Sequence, residues 1–366
     1  MRYYVISGEA SGDLHGGNLL RSIKRLDPEA EFRCWGGDLM AAAGATIVKH
    51  YRDLAFMGFA EVVANLRTIL RNMDFCRKDM TAYRPDVVVF IDYPGFNIPM
   101  AEHAKKKGLK TAYYISPQLW AWKEGRVRKI KRAIDRMLVI LPFEKDFYRK
   151  WDFEVEYVGH PLLQALDDPA SETKADGDRV VALLPGSRKQ EVRMKLPIML
   201  ETSKSFPDRL FAVAQAPGLD DGFIASFLQG YSNVEVVKGD TYGLLRRADA
   251  ALVTSGTATL ETALLGVPEV VCYKGSALSY QIAKRLVKVR YISLVNLIMD
   301  REVVKELIQD DLTADNLVRE LGLLLNEGER VERMRSDYRE LRELLGKGGH
   351  ASDKAAAAIV ELAGKH

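Results

Sequence analysis

Short apolar runs of four or five residues alternate through this chain with longer stretches whose apolar residues recur every three or four positions. Val87–Ile91 (Val-Val-Val-Phe-Ile) and Val180–Leu184 (Val-Val-Ala-Leu-Leu) are the purest of the short runs. A strand that is apolar on both sides must be covered on both sides, which places it in a parallel sheet between two layers of helices. Residues 3–7, 111–115 and 137–141 repeat the type around the first run, and 210–214, 234–237, 250–254 and 270–273 around the second. Helical spacing separates them, as in Leu19, Leu20, Ile23 and Leu26. The pattern predicts an α/β protein of two doubly wound, Rossmann-like parallel-sheet domains. From Arg301 onward the tail reads as helical, broken near residues 346–349.

The alternation is interrupted once, at residues 167–178, which are polar, hold a Pro and a Gly and have no apolar period. This reads as a linker or exposed loop. A length of 366 residues suits about two domains of ordinary size. With 47% apolar and 28% charged residues, the composition excludes a collagen-like, low-complexity or mainly disordered chain. Three scattered cysteines argue against a disulfide framework and fit a reducing compartment. The longest uncharged stretch, 222–234, is too short for a spanning helix, and the first residues run directly into a strand pattern without signal-peptide anatomy. A cytoplasmic protein that does not cross a membrane is expected.

Charge is uneven. Residues 1–166 carry 26 Lys/Arg against 20 Asp/Glu, and 167–366 carry 27 against 30. Within 123–136 there are seven cations and two anions. Such a patch is either a solvated helix face or an attractor of phosphates or an anionic bilayer; no nucleic-acid partner is expected. Phe56-Met57-Gly58-Phe59 leads into Val62, Val63, Leu66, Ile69, Leu70 and Met73 at helical spacing, accompanied by Arg67, Arg71, Arg77 and Lys78. This stripe either packs on the sheet or lies in a membrane interface.

In open parallel sheets ligands sit beyond the carboxyl ends of the strands, and two such sheets facing each other would make a cleft. Five polar loops follow strand ends. Ser7-Gly8-Glu9-Ala10-Ser11-Gly12-Asp13-Leu14-His15-Gly16-Gly17 opens a helix, with glycines for close backbone approach. It is not the G-x-G-x-x-G dinucleotide fingerprint. Asp92, directly after Val87–Ile91, either caps the next helix or serves as a partly desolvated general base. Ser116-Pro117-Gln118-Leu119-Trp120-Ala121-Trp122 offers aromatic planes for sugar rings or acyl chains, or anchors a loop in the core. Pro185-Gly186-Ser187-Arg188 combines backbone N–H groups, a hydroxyl and a guanidinium suited to a pyrophosphate. Ser255-Gly256-Thr257-Ala258-Thr259-Leu260-Glu261 starts a helix that can hold a diphosphate, with Glu261 either accepting from ribose hydroxyls or favouring the helix dipole. The six histidines are scattered, with no metal-ligand spacing, so neither a metal nor another cofactor is expected.

These loops, with Pro142-Phe143-Glu144, Val158-Gly159-His160-Pro161 and Ser293-Leu294-Val295-Asn296-Leu297, occur in an order that resembles the lipid-A-disaccharide synthase family. The similarity runs from Tyr4 to about Leu345 and includes Arg285-Leu286-Val287-Lys288; Gly95 and Gln118 carry no weight in it.

The resemblance implies a GT-B glycosyltransferase. It would be inverting and metal-independent, moving 2,3-diacylglucosamine from its UDP derivative to the 6-hydroxyl of 2,3-diacylglucosamine 1-phosphate, with UDP released. It implies an acceptor domain of residues 1–166, rejoined by C-terminal helices at about 345–366, and a donor domain of 167–344. Peripheral contact with the cytoplasmic face of the inner membrane, and a homodimer with exchanged C-terminal segments, are also implied. Asp92 is the expected base and Glu9 its rival. Ser11, Asp13, His15, Asn97, Trp120 and Trp122 are expected around the acceptor. Ser187, Arg188, Ser255, Gly256, Thr257, Ala258, Glu261 and Asn296 are expected around the donor. The alternatives are another GT-B transferase or an epimerase using UDP-N-acetylglucosamine, or a non-catalytic binder of nucleotide sugars or lipids.

Overall fold

A computed structural model describes residues 1–54, 66–121, 124–166, 179–276, 289–326 and 328–364. Phe56, Met57, Gly58, Phe59, Val62, Val63, Trp122, Lys123, the stretch 167–178 and the segment 285–288 lie outside the described residues. The chain divides into two compact units, Met1–Gln164 with Leu345–His366, and Ala165–Leu344.

The first unit is built on seven parallel strands, β1 (Arg2–Ile6), β2 (Glu31–Gly36), β3 (Thr46–His50), β4 (Val87–Ile91), β5 (Thr111–Tyr114), β6 (Arg136–Val139) and β7 (Glu156–Tyr157), in the order β3-β2-β1-β4-β5-β6-β7. Alternate residues serve opposite faces. Tyr4, Ile6, Val88 and Phe90 share a core with Met80, Ile98 and Ile130, from helices Leu66–Tyr83, Pro94–Lys106 and Val127–Ala133. Tyr3, Val5, Val87 and Val89 share the other with Leu19, Leu20 and Ile23 of helix Ala10–Leu26 and with Ala355 and Ile359 of helix Ala351–Gly364. The C-terminal helix is thus half of one core layer. It is pinned by Ser22 Oγ donating to Asp353 (2.7 Å) and Arg136 donating to the Ala358 carbonyl (2.7 Å).

The second unit carries six parallel strands, β8 (Val180–Leu184), β9 (Leu210–Gln215), β10 (Val234–Lys238), β11 (Ala248–Thr254), β12 (Glu269–Tyr273) and β13 (Lys305–Ile308), in the order β10-β9-β8-β11-β12-β13. The helical reading of the tail needs correcting at β13. Lys305–Ile308 pairs in parallel with β12, Val270 opposite Lys305, and closes the sheet edge. Helices Ala314–Leu325, Glu329–Gly346 and Ala351–Gly364 follow, interrupted after Gly346.

Both sheets reverse their winding once, between β1 and β4 and between β8 and β11. At such a switch point the connecting loops diverge to opposite faces and leave a crevice at the carboxyl edge. Ile6 lies beside Phe90, and Leu184 beside Val253. The loops after β1 and β4 therefore leave at the same level, as do those after β8 and β11.

Candidate active site

In the first unit the switch point brings Glu9 and Asp92 together. Gly8 permits this approach, because a methyl group there would fall on the ring of Tyr93. The turn after β4 places two successive side-chain-bearing residues, Asp92 (φ 43°) and Tyr93 (φ 49°), in the left-handed region. Such conformations cost on the order of 1–3 kcal/mol each and persist where surrounding groups hold them. Here the Asp92 carbonyl accepts from the buried Asn97 amide (2.7 Å) and the Tyr113 hydroxyl (2.5 Å). Burial first, and the nearby Glu9 charge second, push the Asp92 carboxyl up to about 6, against a backbone N–H bond from Tyr93 that lowers it. A carboxylate poised there can accept a proton near neutral pH.

The other residues expected around the acceptor have varied tasks. Ser11 is exposed in the first helical turn. Asp13 is buried and clamps the turn after β2, accepting from the N–H groups of Gly37 (2.7 Å), Leu39 (3.0 Å) and Met40 (3.1 Å). Burial lowers His15 to about 4, and burial with the neighbouring His15 lowers His160 to about 3, so both are neutral at pH 7. Asn97 is fully buried and acts on the Asp92 backbone, its amide also reaching the Ile91 carbonyl (3.2 Å). Trp120 is buried edge-on against Phe143, at 5.0 Å between ring centres. Asp13, Asn97 and Trp120 thus each have partners within the first unit, while Asn97 Oδ1 and Trp120 Nε1 have no hydrogen-bond partner among the described residues. Trp122 falls outside the described residues.

In the second unit the switch point joins two loops. Ser187 and Arg188 are exposed after β8, with Arg188 3.3 Å from Glu191. After β11, the Ser255 hydroxyl donates to the Ile292 carbonyl (2.9 Å), and Gly256, at φ 152°, starts helix Thr257–Leu264 without any side-chain cap. The N–H groups at that helix start can meet an anion, with Thr257 exposed and Ala258 half-buried beside them. Glu261, one turn on, accepts from the Tyr242 hydroxyl (3.1 Å); burial raises its carboxyl and this bond lowers it. Asn296 is a correction. It is fully buried, its amide donates to the Val304 carbonyl and Glu306, and its carbonyl accepts from the N–H groups of Val303 and Val304. No hydrogen-bonding capacity is left for a ligand.

Three contributors escaped the sequence reading. Tyr242 precedes Glu261 by 19 residues and meets it only through the fold. Tyr113 reads as a core strand residue, and its hydroxyl is what ties β5 to Asp92. Glu144 lies in a noticed motif, yet its role appears only in three dimensions. It is buried, accepts from the Leu141 N–H (2.9 Å) and is pushed up to about 7, chiefly by burial.

Two successive doubly wound sheets, each with polar loops at its switch point, fit a group-transfer enzyme; the solved structures show the GT-B fold and the family match makes the chain a glycosyltransferase. The glycotransferase of kitacinnamycin aligns with a TM-score of 0.68 at 16% identity, covering 99% of this chain and 98% of that one. The UDP-GlcNAc 2-epimerase of Neisseria meningitidis, bound to UDP-GlcNAc, aligns with a TM-score of 0.67 at 14% identity, covering 99% of each. These likenesses concern the fold. The family model of lipid-A-disaccharide synthetase matches residues 3–360, and the chain belongs to that family. The lipid-A-disaccharide synthase of Geobacter metallireducens is 41% identical over 377 residues, covering 100% of this chain and 98% of the relative. That of Syntrophus aciditrophicus is 40% identical over 368 residues, covering 97% and 96%. The chain is thus an enzyme that forms the lipid A disaccharide by glycosyl transfer between a nucleotide sugar and an acceptor. Neither a UDP-N-acetylglucosamine epimerase nor a non-catalytic binder is favoured by these matches. Among the described residues no helix is long and apolar enough to cross a membrane.

Proposed function

We propose that the first unit receives 2,3-diacylglucosamine 1-phosphate and the second holds UDP-2,3-diacylglucosamine. Asp92 takes the proton of the acceptor 6-hydroxyl as its oxygen attacks the anomeric carbon. The bond from that carbon to the diphosphate breaks, the configuration inverts, and UDP leaves with the bonding electron pair. The observation that carries this reading is the elevated carboxyl of Asp92 beside Glu9 at the β1–β4 switch point. A base titrating near 6 is ionised at neutral pH and still basic enough to assist an alcohol. Glu9 raises Asp92 by its charge and is the alternative base.

Charge developing on the leaving diphosphate is met by Arg188 and Ser187 together with the N–H groups at Gly256, Thr257 and Ala258. Glu261 accepts from the ribose hydroxyls. Ser11 and His15 flank the acceptor, His15 as a neutral imidazole. Membrane contact on the cytoplasmic face of the inner membrane is part of the proposal. It is supported by Leu66 and Leu70, both exposed on helix Leu66–Tyr83. A homodimer, which the family resemblance implies, is the proposed assembly, to be read by sedimentation equilibrium; in the single chain, helix Ala351–Gly364 packs on its own first unit.

The direct test incubates both acylated sugars with the enzyme and follows UDP release and the β-1,6 disaccharide. Both products at equal yield support the reading. UDP release without disaccharide would remove the acceptor assignment.

A further inference from the structure

In the basic stretch at 123–136 the six cations within the described residues can be accounted for one by one. The Arg128 guanidinium lies 5.6 Å from the ring centre of Trp151, and Lys131 donates to the Trp151 carbonyl (2.9 Å). Arg136 pairs with Glu156 (2.9 Å) and Glu361 (2.7 Å). Lys129 and Arg132 are exposed to solvent. Arg126 differs from all of these. It is half-buried, and no carboxylate or hydrogen-bond acceptor among the described residues engages its guanidinium. An arginine drawn partly out of water with five unspent donors is poised for an anion.

Its place in the fold says which anion. β4, β5 and β6 are adjacent and parallel, so the crossover helices Pro94–Lys106 and Val127–Ala133 both begin at the carboxyl edge. The two helices pack side by side. Asp92 and Tyr93 immediately precede the first, and Arg126 immediately precedes the second. Between them stands Tyr113 of β5. Its hydroxyl binds the Asp92 carbonyl (2.5 Å), and it feels the Arg126 charge.

We infer that Arg126 is the residue that binds the 1-phosphate of the acceptor. This rests on the proposed reading that Asp92 receives the acceptor 6-hydroxyl. The 6-hydroxyl and the 1-phosphate stand at opposite ends of one hexose. A cation on the neighbouring helix start, separated from the base by a single strand, is where that phosphate falls when the hydroxyl meets Asp92. A guanidinium there takes the phosphate through paired N–H donors and so fixes which end of the sugar enters.

The test compares wild type, Arg126→Gln and Arg126→Lys with two acceptors, 2,3-diacylglucosamine 1-phosphate and the same sugar without phosphate, acceptor KM being read at saturating donor and donor KM at fixed acceptor. Wild type should prefer the phosphorylated acceptor. In Arg126→Gln its KM should rise by about 10- to 150-fold, the worth of a charged hydrogen bond. Donor KM and turnover of the phosphate-free acceptor should stay near wild type, and Arg126→Lys should recover part of the preference. If Arg126→Gln keeps the wild-type preference, or loses both acceptors equally, the inference fails. Wild type without a preference overturns it as well. Failure of the underlying reading shows separately, as an Asp92→Asn variant that turns over normally.

Discussion

The Tyr242 hydroxyl donates a 3.1 Å hydrogen bond to Oε1 of Glu261, joining a residue of helix Thr241–Arg247 to the helix that starts at the β11 turn. Burial favours the neutral form of Glu261, and this bond opposes it. Glu261→Ala should abolish the preference for UDP over deoxyuridine diphosphate in a calorimetric titration. Tyr242→Phe should weaken UDP less than Glu261→Ala does, since it removes only the bond that orients Glu261 and favours its ionised form. With the hydroxyl gone the Glu261 pKa rises further, so binding to the variant should decline at a higher pH than in wild type as the solution is acidified. Unchanged nucleotide discrimination in Glu261→Ala would remove the ribose role.

Asp92 must be ionised to act as a base. With its carboxyl raised to about 6, kcat/KM should climb as pH increases through that value and then level off. Glu9→Gln removes the charge that helps raise Asp92, so the acid limb should move to lower pH. Asp92→Asn should keep the fold and UDP binding while losing about 10²- to 10⁴-fold in turnover. Retention of more than about half the activity would transfer the base to Glu9.

Glu269 opens β12 fully buried, and neither carboxylate oxygen has a hydrogen-bond partner among the described residues. Burial alone holds it well above its ordinary value of 4.5. The folded state therefore binds a proton that the unfolded state has released, and stability falls as pH rises above the unfolded value. Glu269→Leu should stabilise the protein by about 1–3 kcal/mol at neutral pH, the cost of an unsatisfied buried polar group. Its advantage should grow with pH in urea unfolding between pH 5 and 8. A less stable variant at pH 8 would show that Glu269 is paired in solution.

The strands that could be read from the sequence are those buried on both faces, β4 and β8 above all. β2 was not, because Glu31 and Arg33 interrupt an apolar run whose Phe32, Cys34 and Trp35 are nonetheless buried. β13 was misread, because Lys-Glu-Leu-Ile favours helix and only the vacant edge of β12 makes it a strand. At the site, loops following legible strands were legible too, which is why Asp92, Arg188 and Glu261 stood out. The residues that act on them did not. Tyr113 and Tyr242 read as core or as loop until the topology closes, and Asn97 is expected at the acceptor rather than on the Asp92 backbone, where its amide donates. Asp13 stood out for its polarity and Asn296 through the family resemblance; Asp13 is spent on backbone N–H groups of the turn after β2, and Asn296 on backbone groups of Val303 and Val304 and on the Glu306 carboxylate.

The apolar stripe of helix Leu66–Tyr83 separates into two parts. Cys76 and Met80 are buried in the core of the first unit, whereas Leu66 is 50% and Leu70 56% exposed, with Arg67 and Arg71 also on the surface. Ile69 and Met73 lie between, partly buried. An exposed apolar turn flanked by cations is suited to an anionic bilayer interface. Leu66→Ser with Leu70→Ser should leave the melting temperature nearly unchanged, since neither side chain supplies core packing. The same variant should float less with vesicles containing phosphatidylglycerol, and its turnover on vesicle-borne acceptor should fall more than on detergent-dispersed acceptor. Met80→Ser is the contrasting change. It removes a buried side chain, should cost about 2–5 kcal/mol of stability, and should leave flotation of the protein that remains folded unaltered. A large drop in melting temperature for the leucine pair, with flotation intact, would return this turn to the core and move the bilayer contact elsewhere on the chain.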